Sequence, residues 1–208
     1  MKSLSIYFEG GGDKSAQRAT LRQGMNAFLS SLKDQACAKR WQWKLVPCGG
    51  RSQTFAAFQN ARNQASESEI VILLVDAEAP ITASTRVEHL RLRIGDGWDL
   101  TGVPEDHIHL MAQAMEAWIV ADPEALAKYY GQGFQRNALP KRANLEEEPK
   151  TDCADKLAKA TEKTQKGEYH KIKHAGDLLG RISEQKVRAY CPHAEILFTK
   201  VCGLIETH

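Results

Sequence analysis

The chain has 208 residues, of which 42% are hydrophobic and 26% are charged, a composition typical of a globular protein with one core and room for a small appendage. Its net charge of +2 excludes a general electrostatic affinity for nucleic acids, so any such binding has to come from a local patch. Five cysteines without CxxC spacing, and no apolar run near the ~20 residues of a membrane span, favour a cytoplasmic protein that does not contact membranes.

The first part of the chain alternates short apolar runs with helical patterns, and four strands are predicted at Leu4–Phe8, Trp43–Pro47, Ile70–Val75 and Ile108–Ala112. A helix follows each strand. The first helix is predicted to extend to about Leu32, and the third to span Ala83–Ile94 with Ile94 facing inwards. Six consecutive aliphatic residues at Ile70–Val75 are typical of a strand buried on both faces. The pattern therefore predicts an α/β fold with a mostly parallel four-stranded sheet and helices on both faces.

The remaining residues are more polar and predict a helical extension. One polar helix is expected within 131–166, an amphipathic helix at Tyr169–Ile182, and a last helix that begins near Pro192. The predicted domain organisation is an α/β core at residues 1–130, with a polar excursion and C-terminal helices at residues 131–208 that pack on that core.

Carboxylates follow the predicted strands. Glu9 ends the first strand and Asp13 lies beyond it, Asp76 and Glu78 end the third strand, and Glu116 follows the fourth. Because the ends of parallel strands meet at one edge of a sheet, these side chains are expected to converge and to repel one another unless a cation holds them ionised. A donor set made only of oxygens favours one or two Mg²⁺ or Mn²⁺ ions. The alternative is that these acids are helix caps or surface charges.

The same residues resemble a known catalytic domain. The Glu9-Gly10 pair after the first strand, the acid at Asp13 and the Asp76-Ala77-Glu78 segment are similar to the TOPRIM domain, most of all to that of OLD-family nucleases. The usual TOPRIM pair is Asp-x-Asp, so Glu78 departs from the pattern. Over most of its length the chain also resembles the DUF4276 family, through the segments FEGGGD, CGGRSQTFAAF, LLVDAEAP, HLMAQAMEAWIVAD, KIKHAGDLL and CPHAEILF.

The resemblance implies roles for the acidic residues. Glu9 would be a general acid or base, or a metal ligand, and Asp76 with Glu78 would be the metal-binding pair. Asp13 would be a ligand of a second ion, and Glu116 a further ligand or a residue that orients one. It also implies a TOPRIM-like nuclease that acts as the toxic effector of an anti-phage defence complex with an ABC-type ATPase partner.

Two further segments are candidates for binding phosphate. Gly49, Gly50 and Arg51 place backbone N–H groups and a guanidinium at a predicted helix start, although an ordinary glycine turn explains them equally well. Lys171 and Lys173 are candidate catalytic cations, and His174 a candidate phosphate ligand; the alternative for these is a solvated helix face. Three more basic residues are expected to extend a backbone-binding track, namely Arg181, Lys186 and Arg188.

The sequence therefore predicts a Mg²⁺- or Mn²⁺-dependent nuclease that hydrolyses phosphodiester bonds of DNA or RNA, with an ABC-type ATPase partner and a possible homo-oligomeric state. Two alternatives stay open. One is a TOPRIM-like subunit that binds and regulates an ATPase without catalysis. The other is a phosphorelay-receiver-like domain, against which the second carboxylate at Glu78 argues.

Overall fold

The computed structural model describes residues 1–12 and 14–208 of the chain. The described strands are β1 (Ser3–Phe8), β2 (Gln42–Pro47), β3 (Glu69–Asp76) and β4 (Ile108–Met111). The described α-helices are α1 (Ser15–Phe28), α2 (Ser30–Ala38), α3 (Arg51–Gln64), α4 (Arg86–Leu92), α5 (Met115–Val120), α6 (Pro123–Tyr130), α7 (Lys150–Thr161), α8 (Lys171–Leu179), α9 (Glu184–Tyr190) and α10 (Pro192–Thr207). Single 3₁₀ turns lie at Glu105–His107, Arg136–Ala138 and Leu145–Glu147.

The four strands form one parallel sheet in the order β2-β1-β3-β4, which confirms the predicted architecture. Strand β1 lies in the middle, with Phe8 opposite Pro47 on one side and Leu74 on the other. Because neighbouring strands run in the same direction, the chain leaves β1 and β3 at the same edge of the sheet. Whatever follows Phe8 and Val75 is therefore brought together.

Helices cover both faces of the sheet, as predicted. The even-numbered residues of β3 from Ile70 to Leu74 belong to a large core that includes residues of α1, α5, α8 and α10. The odd-numbered residues from Val71 to Val75 belong to a smaller core with residues of α3 and α4. The unbroken apolar run of β3 is thus explained by burial on both sides. None of the helices in the described part of the chain has the length and apolarity needed to cross a bilayer.

Three local predictions were wrong. The first helix ends at Phe28 and a second one begins at Ser30, so that the chain bends at Leu29 while keeping Leu29 and Leu32 buried. The short helix α9 was missed; it begins because the Ser183 side chain accepts a hydrogen bond from the Lys186 backbone N–H.

The third exception is Ile94, which is 97% exposed instead of facing inwards. Helix α4 ends at Leu92, and Arg93 has an extended backbone that no longer follows helical periodicity. The apolar spacing that predicted a longer helix therefore no longer indicates which side chains are buried after Leu92, where the helix ends.

Helices α1 and α8 touch through their backbones. A Cβ atom on Gly24 would lie 1.9 Å from the carbonyl oxygen of Gly176, and a Cβ atom on Gly176 would lie 2.9 Å from the backbone of Thr20. Side chains at either position would force the helices apart. This contact fixes the start of α8, at Lys171, over the edge of the sheet where β1 and β3 end.

We expect Gly24→Ala to destabilise the protein by roughly 1–3 kcal/mol, because overpacking at a backbone contact outweighs the ~1 kcal/mol by which alanine favours a helix. The matched control is Gly203→Ala in α10, where a Cβ atom meets nothing within 4 Å. That change should stabilise the protein by roughly 0.5–1 kcal/mol. Denaturant unfolding measures both, and equal stability of the two variants would contradict the close packing of α1 on α8.

Candidate metal centre

Three carboxylates meet at the edge of the sheet where β1 and β3 end. Glu9 directly follows β1, Asp76 is the last residue of β3, and Glu78 lies two residues later. One oxygen from each side chain lies within 4.8 Å of the others. The prediction that these acids converge is therefore confirmed for Glu9, Asp76 and Glu78, whereas Asp13 lies outside the described residues.

Asp76 forms the floor of this cluster, with a side chain only 2% exposed, against 17% for Glu9 and 21% for Glu78. One of its carboxylate oxygens accepts a 2.9 Å hydrogen bond from the backbone N–H of Met115, and the other accepts a 2.7 Å bond from Nζ of Lys171. These bonds compensate for the burial of a charged group and hold its orientation.

Glu78 has a left-handed backbone conformation, with φ of 68°. Such a conformation costs roughly 1–2 kcal/mol in a residue with a Cβ atom. Two bonds beyond the end of β3 hold it in place, from Ala77 N–H to Met111 O at 2.9 Å and from Glu78 N–H to Gln113 O at 2.7 Å. The turn directs the Glu78 side chain back towards Asp76, so that carboxylate oxygens of the two residues lie within 4.8 Å and could bind the same ion. A glutamate can therefore occupy the second position of the Asp-x-Glu pair.

Glu9 is the carboxylate whose ionisation is most disturbed. Burial raises its pKa from 4.5 to about 7, and the negative charge of Asp76 acts in the same direction. Arg51 and Lys171 oppose the shift only in part. Near neutral pH, Glu9 without a bound cation is therefore divided between its protonated and ionised forms.

Glu116 is buried on α5 and lies beside Lys171 rather than in the group of three carboxylates. Its oxygens accept a 3.1 Å hydrogen bond from the Tyr169 hydroxyl and lie 3.5 Å from Nζ of Lys171. In this position Glu116 orients the lysine that contacts Asp76. Glu116 thus contacts a lysine and a tyrosine of the site, and its predicted role as a metal ligand or as a residue that orients one stays a prediction.

Lys171 is the cation at the centre of the site. Burial by itself lowers its pKa, but the charges of Asp76 and Glu116 raise the pKa above its ordinary value, so the amine is protonated at physiological pH. Together with Glu9, it lines a cavity of about 200 Å³ whose other walls are the backbone of the glycine loop, Gly10–Gly12, and apolar residues such as Ile172. Lys171 therefore lies beside the carboxylates, and its catalytic role stays a prediction.

Arg51 lies at a helix start near the carboxylates, as predicted, but its guanidinium already has protein partners. Its guanidinium forms a two-pronged contact with Asp96, with Nε 3.0 Å and Nη2 2.8 Å from carboxylate oxygens, and lies 4.6 Å from the centre of the Trp98 ring. Nη1 donates to the backbone oxygen of Asp76 at 2.5 Å and lies 3.5 Å from Glu9. Arg51 is thus a fixed counter-charge within the site and not an open phosphate ligand.

The backbone donors of the glycine turn are also occupied. Gly49 N–H donates to Gly10 O at 3.0 Å, and Gly50 N–H donates to the Gln53 side chain at 2.7 Å. The prediction that Gly49 and Gly50 offer free N–H groups to a phosphate was therefore wrong. Their role is to bridge the glycine loop after β1 to the start of α3.

Two predictions on α8 need correction. Lys173 is exposed and, among the described residues, contacts none of the carboxylates of the site. His174 is buried in an aromatic cluster, where its Nδ1 lies 3.2 Å from the Tyr130 hydroxyl and accepts a bond from the His170 backbone N–H. Helical geometry explains the outcome for Lys173, because a residue two positions after Lys171 lies on the opposite side of the helix. His174 lies nearly one turn beyond Lys171, where it packs against the Tyr130 ring instead of facing the carboxylates.

Sequence reasoning missed four residues of the site. Lys150 lies 2.5 Å from Glu78, Arg93 lies 3.7 Å from the same carboxylate and 2.7 Å from Asp96, and Tyr169 bonds Glu116. None of the four follows a predicted strand. Asp96 stands between two glycines that only indicated a helix end, and Lys150 stands in a charged run that indicated a surface segment.

Comparison with known proteins gives a family and no function. No curated protein and no solved structure matches the chain significantly. One family model, described as "Domain of unknown function (DUF4276)", matches residues 8–201, a range that includes Glu9, Asp76, Glu78, Glu116 and Lys171. Because this match covers nearly the whole chain and every described residue of the candidate site, the chain belongs to the DUF4276 family.

Proposed function

We propose that the chain is a metal-dependent nuclease that hydrolyses phosphodiester bonds of DNA or RNA at the Glu9–Asp76–Glu78 cluster. The observation that carries the proposal is the approach of three carboxylates to within 4.8 Å at the carboxyl edge of a parallel sheet, which is where α/β proteins bind ligands. No histidine or cysteine belongs to this described group. Its donors are hard oxygens, which fit Mg²⁺ or Mn²⁺.

The charge balance of the site supports a divalent cation. When Glu9 is ionised, the described ion-pair network joins five acids to four bases and leaves one uncompensated negative charge: Glu9, Asp76, Glu78, Asp96 and Glu116 against Arg51, Arg93, Lys150 and Lys171. A divalent ion would turn this balance to one net positive charge. A phosphodiester, with a single negative charge, would then complete it.

The protein residues divide the remaining tasks. A bound Mg²⁺ or Mn²⁺ would stabilise charge on the phosphate and lower the pKa of a water molecule. Asp76 and Glu78 would hold the ion, and Glu9, whose carboxylate lies beside them, would accept a proton from water once the cation has ionised it. Lys171 faces the cavity beside Glu9 and would stabilise negative charge on the phosphate oxygens.

One observation favours a second candidate, a non-catalytic subunit. Asp76 and Glu78 already have protein cations at 2.7 Å and 2.5 Å, from Lys171 and Lys150, so the cluster can be satisfied without a metal. In that case the site would be a structural ion-pair network. Metal binding and cleavage separate the two candidates.

The biological setting proposed with the nuclease rests on family resemblance. It consists of an ABC-type ATPase partner, a role in anti-phage defence and a cytoplasmic location. The cysteines agree with a reducing compartment, since all five are free in the structure, including the buried Cys153 and Cys191.

We expect Mn²⁺ or Mg²⁺ to raise the thermal unfolding temperature of the wild-type chain, by an amount equivalent to about 2.7 kcal/mol when the ion is at 100 times its dissociation constant. Asp76→Asn should abolish this stabilisation, because it removes the central carboxylate. The matched control is Glu69→Gln, at the opposite, exposed end of the same strand. Thermal shift with and without EDTA and titration calorimetry measure the effect. Equal metal-induced shifts in Asp76→Asn and wild type would count against a metal at this cluster.

Cleavage can be tested with two lysines of one helix. We expect wild-type protein with Mn²⁺ to cut plasmid DNA, single-stranded DNA or RNA, and Lys171→Met to lose on the order of 100-fold in rate because a fixed cation is removed from the phosphate site. Lys173→Met should retain wild-type activity within about twofold, since an exposed substitution changes little. Equal rates for wild type and Lys171→Met, or cleavage that persists in EDTA, would contradict the proposed mechanism.

The pKa of Glu9 predicts how metal-free stability depends on pH. Because the folded-state pKa of about 7 exceeds the ordinary value of 4.5, the folded protein keeps a proton that the unfolded chain releases, and stability falls as pH rises through this window. In EDTA, the free energy of unfolding of Glu9→Gln should therefore gain on that of wild type between pH 5 and pH 8, by up to about 3 kcal/mol. Denaturant unfolding at the two pH values tests this. A difference in unfolding free energy that stays constant with pH would show that the pKa of Glu9 is not raised in the folded protein.

A further inference from the structure

An open groove runs between α1 and the outer strand β2, on the far side of the glycine loop from the carboxylates. It consists of two adjoining depressions, of about 640 Å³ and 310 Å³, which share Arg22, Lys44 and Leu45. Its three charged lining residues are all basic: Arg18, Arg22 and Lys44. Within the described part of the chain, no acidic side chain lines it.

The groove leads to the candidate metal centre. At one end Arg18 packs on the glycine loop, so closely that a Cβ atom on Gly11 would lie 2.9 Å from the Arg18 side chain. The other side of this loop forms a wall of the cavity that contains Glu9 and Lys171. A chain molecule that lies in the groove would pass over Arg18 and the glycine loop, against which Arg18 and Ile172 pack, to reach the carboxylates.

Two of the basic side chains in the groove, those of Arg22 and Lys44, are available to a ligand. Arg22 and Lys44 are exposed and form no ion pair with any residue that the structure describes. Two residues of the predicted backbone-binding track differ in this respect, because Lys186 is paired with Asp122 and Glu124, and Arg188 with Glu184 and Glu195. Their charges are neutralised within the protein. Arg181, the third residue of that track, lies 5.5 Å from the centre of the Tyr129 ring and does not line the groove.

The spacing of the basic groups fits a polyanion. Arg18 and Arg22 are four residues apart on α1, so they lie about 6 Å apart along one face of the helix. Lys44 faces the same groove from β2. Uncharged polar side chains complete the second depression, including Gln23 and Asn26. The basic groups of such an arrangement suit successive phosphates, contacts that do not depend on base sequence.

We propose that this groove binds the sugar-phosphate backbone of a nucleic-acid strand and directs it over the glycine loop to the carboxylates. The direction of the strand rests on the proposed nuclease function. Binding in the groove does not, because it requires neither metal nor cleavage. The interaction is electrostatic and independent of sequence.

The test measures binding by the full chain in EDTA, so that no cleavage occurs. The probes are fluorescent mixed-sequence DNA and RNA single strands of about 20 nucleotides and the corresponding duplex, followed by anisotropy between about 50 and 200 mM salt. We expect Arg22→Glu with Lys44→Glu to weaken single-strand binding at least ~10-fold and to reduce the slope of log affinity against log salt by about 1.4, which is ~0.7 for each of two phosphates.

The control carries the same change in net charge elsewhere. Lys128→Glu with Lys163→Glu alters two exposed lysines that do not line the groove, and it should bind the probes with near wild-type affinity. Circular dichroism and unfolding temperature confirm that both double variants fold. Equal loss of affinity in both would mean that only net charge matters, and wild-type affinity in the groove variant would overturn the proposal.

Two further measurements test whether the groove binds through both of its walls and whether its ligand is a nucleic acid. Lys44 has an alternative role, because a lysine on an outer strand discourages pairing with another sheet. The helix wall is therefore tested separately: Arg22→Gln alone has to weaken binding as well. An acidic peptide of equal charge has to bind more weakly than the oligonucleotides; equal affinity would overturn the assignment to nucleic acid. Groove-dependent binding without metal-dependent cleavage would refute the proposed nuclease but support the groove as a binding site. Metal-dependent cleavage without groove-dependent binding would support the nuclease and refute the groove.

Discussion

Repulsion among Glu9, Asp76 and Glu78 is the constraint for which the rest of the structure has to compensate. The parallel pairing of β1 with β3 brings the three acids to one edge, and nothing in the strands themselves supplies a counter-charge. The compensating cations come from four separate places along the chain: Arg51 at the start of α3, Arg93 after α4, Lys150 at the start of α7 and Lys171 at the start of α8. Two of them lie in the C-terminal third. The sheet therefore supplies the acids, and the later helices supply half of the bases that make their proximity tolerable.

The helix contact at Gly24 and Gly176 has a consequence beyond packing. It lets α8 approach α1 at backbone distance, and so brings Lys171 within 2.7 Å of Asp76. A larger residue at either glycine would move the amine away from a carboxylate that is almost fully buried. An unpaired buried carboxylate lowers the stability of the fold, so the close packing of these two helices is also what keeps Asp76 paired with a cation.

The sequence was informative where local pattern determines structure. A run of aliphatic residues such as Ile70–Val75 has few ways to be buried, and parallel strands have to end at a common edge, so the convergence of Glu9 with Asp76 was predictable. Two basic partners of these acids, Arg93 and Lys150, were not predicted, whereas Arg51 and Lys171 had been singled out as candidate phosphate-binding or catalytic cations. Lys150 is 72 residues from Glu78 and carries no periodic signal. The bend at Leu29 and the exposure of Ile94 were missed because both preserve apolar spacing while the backbone departs from the helix.

The same limit explains why the net charge of +2 says little about what the surface can bind. Folding separates the charges: acids outnumber bases in the site network, while the charged residues that line the groove between α1 and β2 in the described part of the chain are all basic. On the proposed function, these two surfaces act in order. The groove would attract a nucleic-acid strand with or without metal, whereas the negative charge of the site with Glu9 ionised would oppose entry of a phosphate until a divalent ion reverses it. Metal binding would then control access of the substrate to the site as well as its chemistry, because the same carboxylates that hold the ion repel the phosphate in its absence.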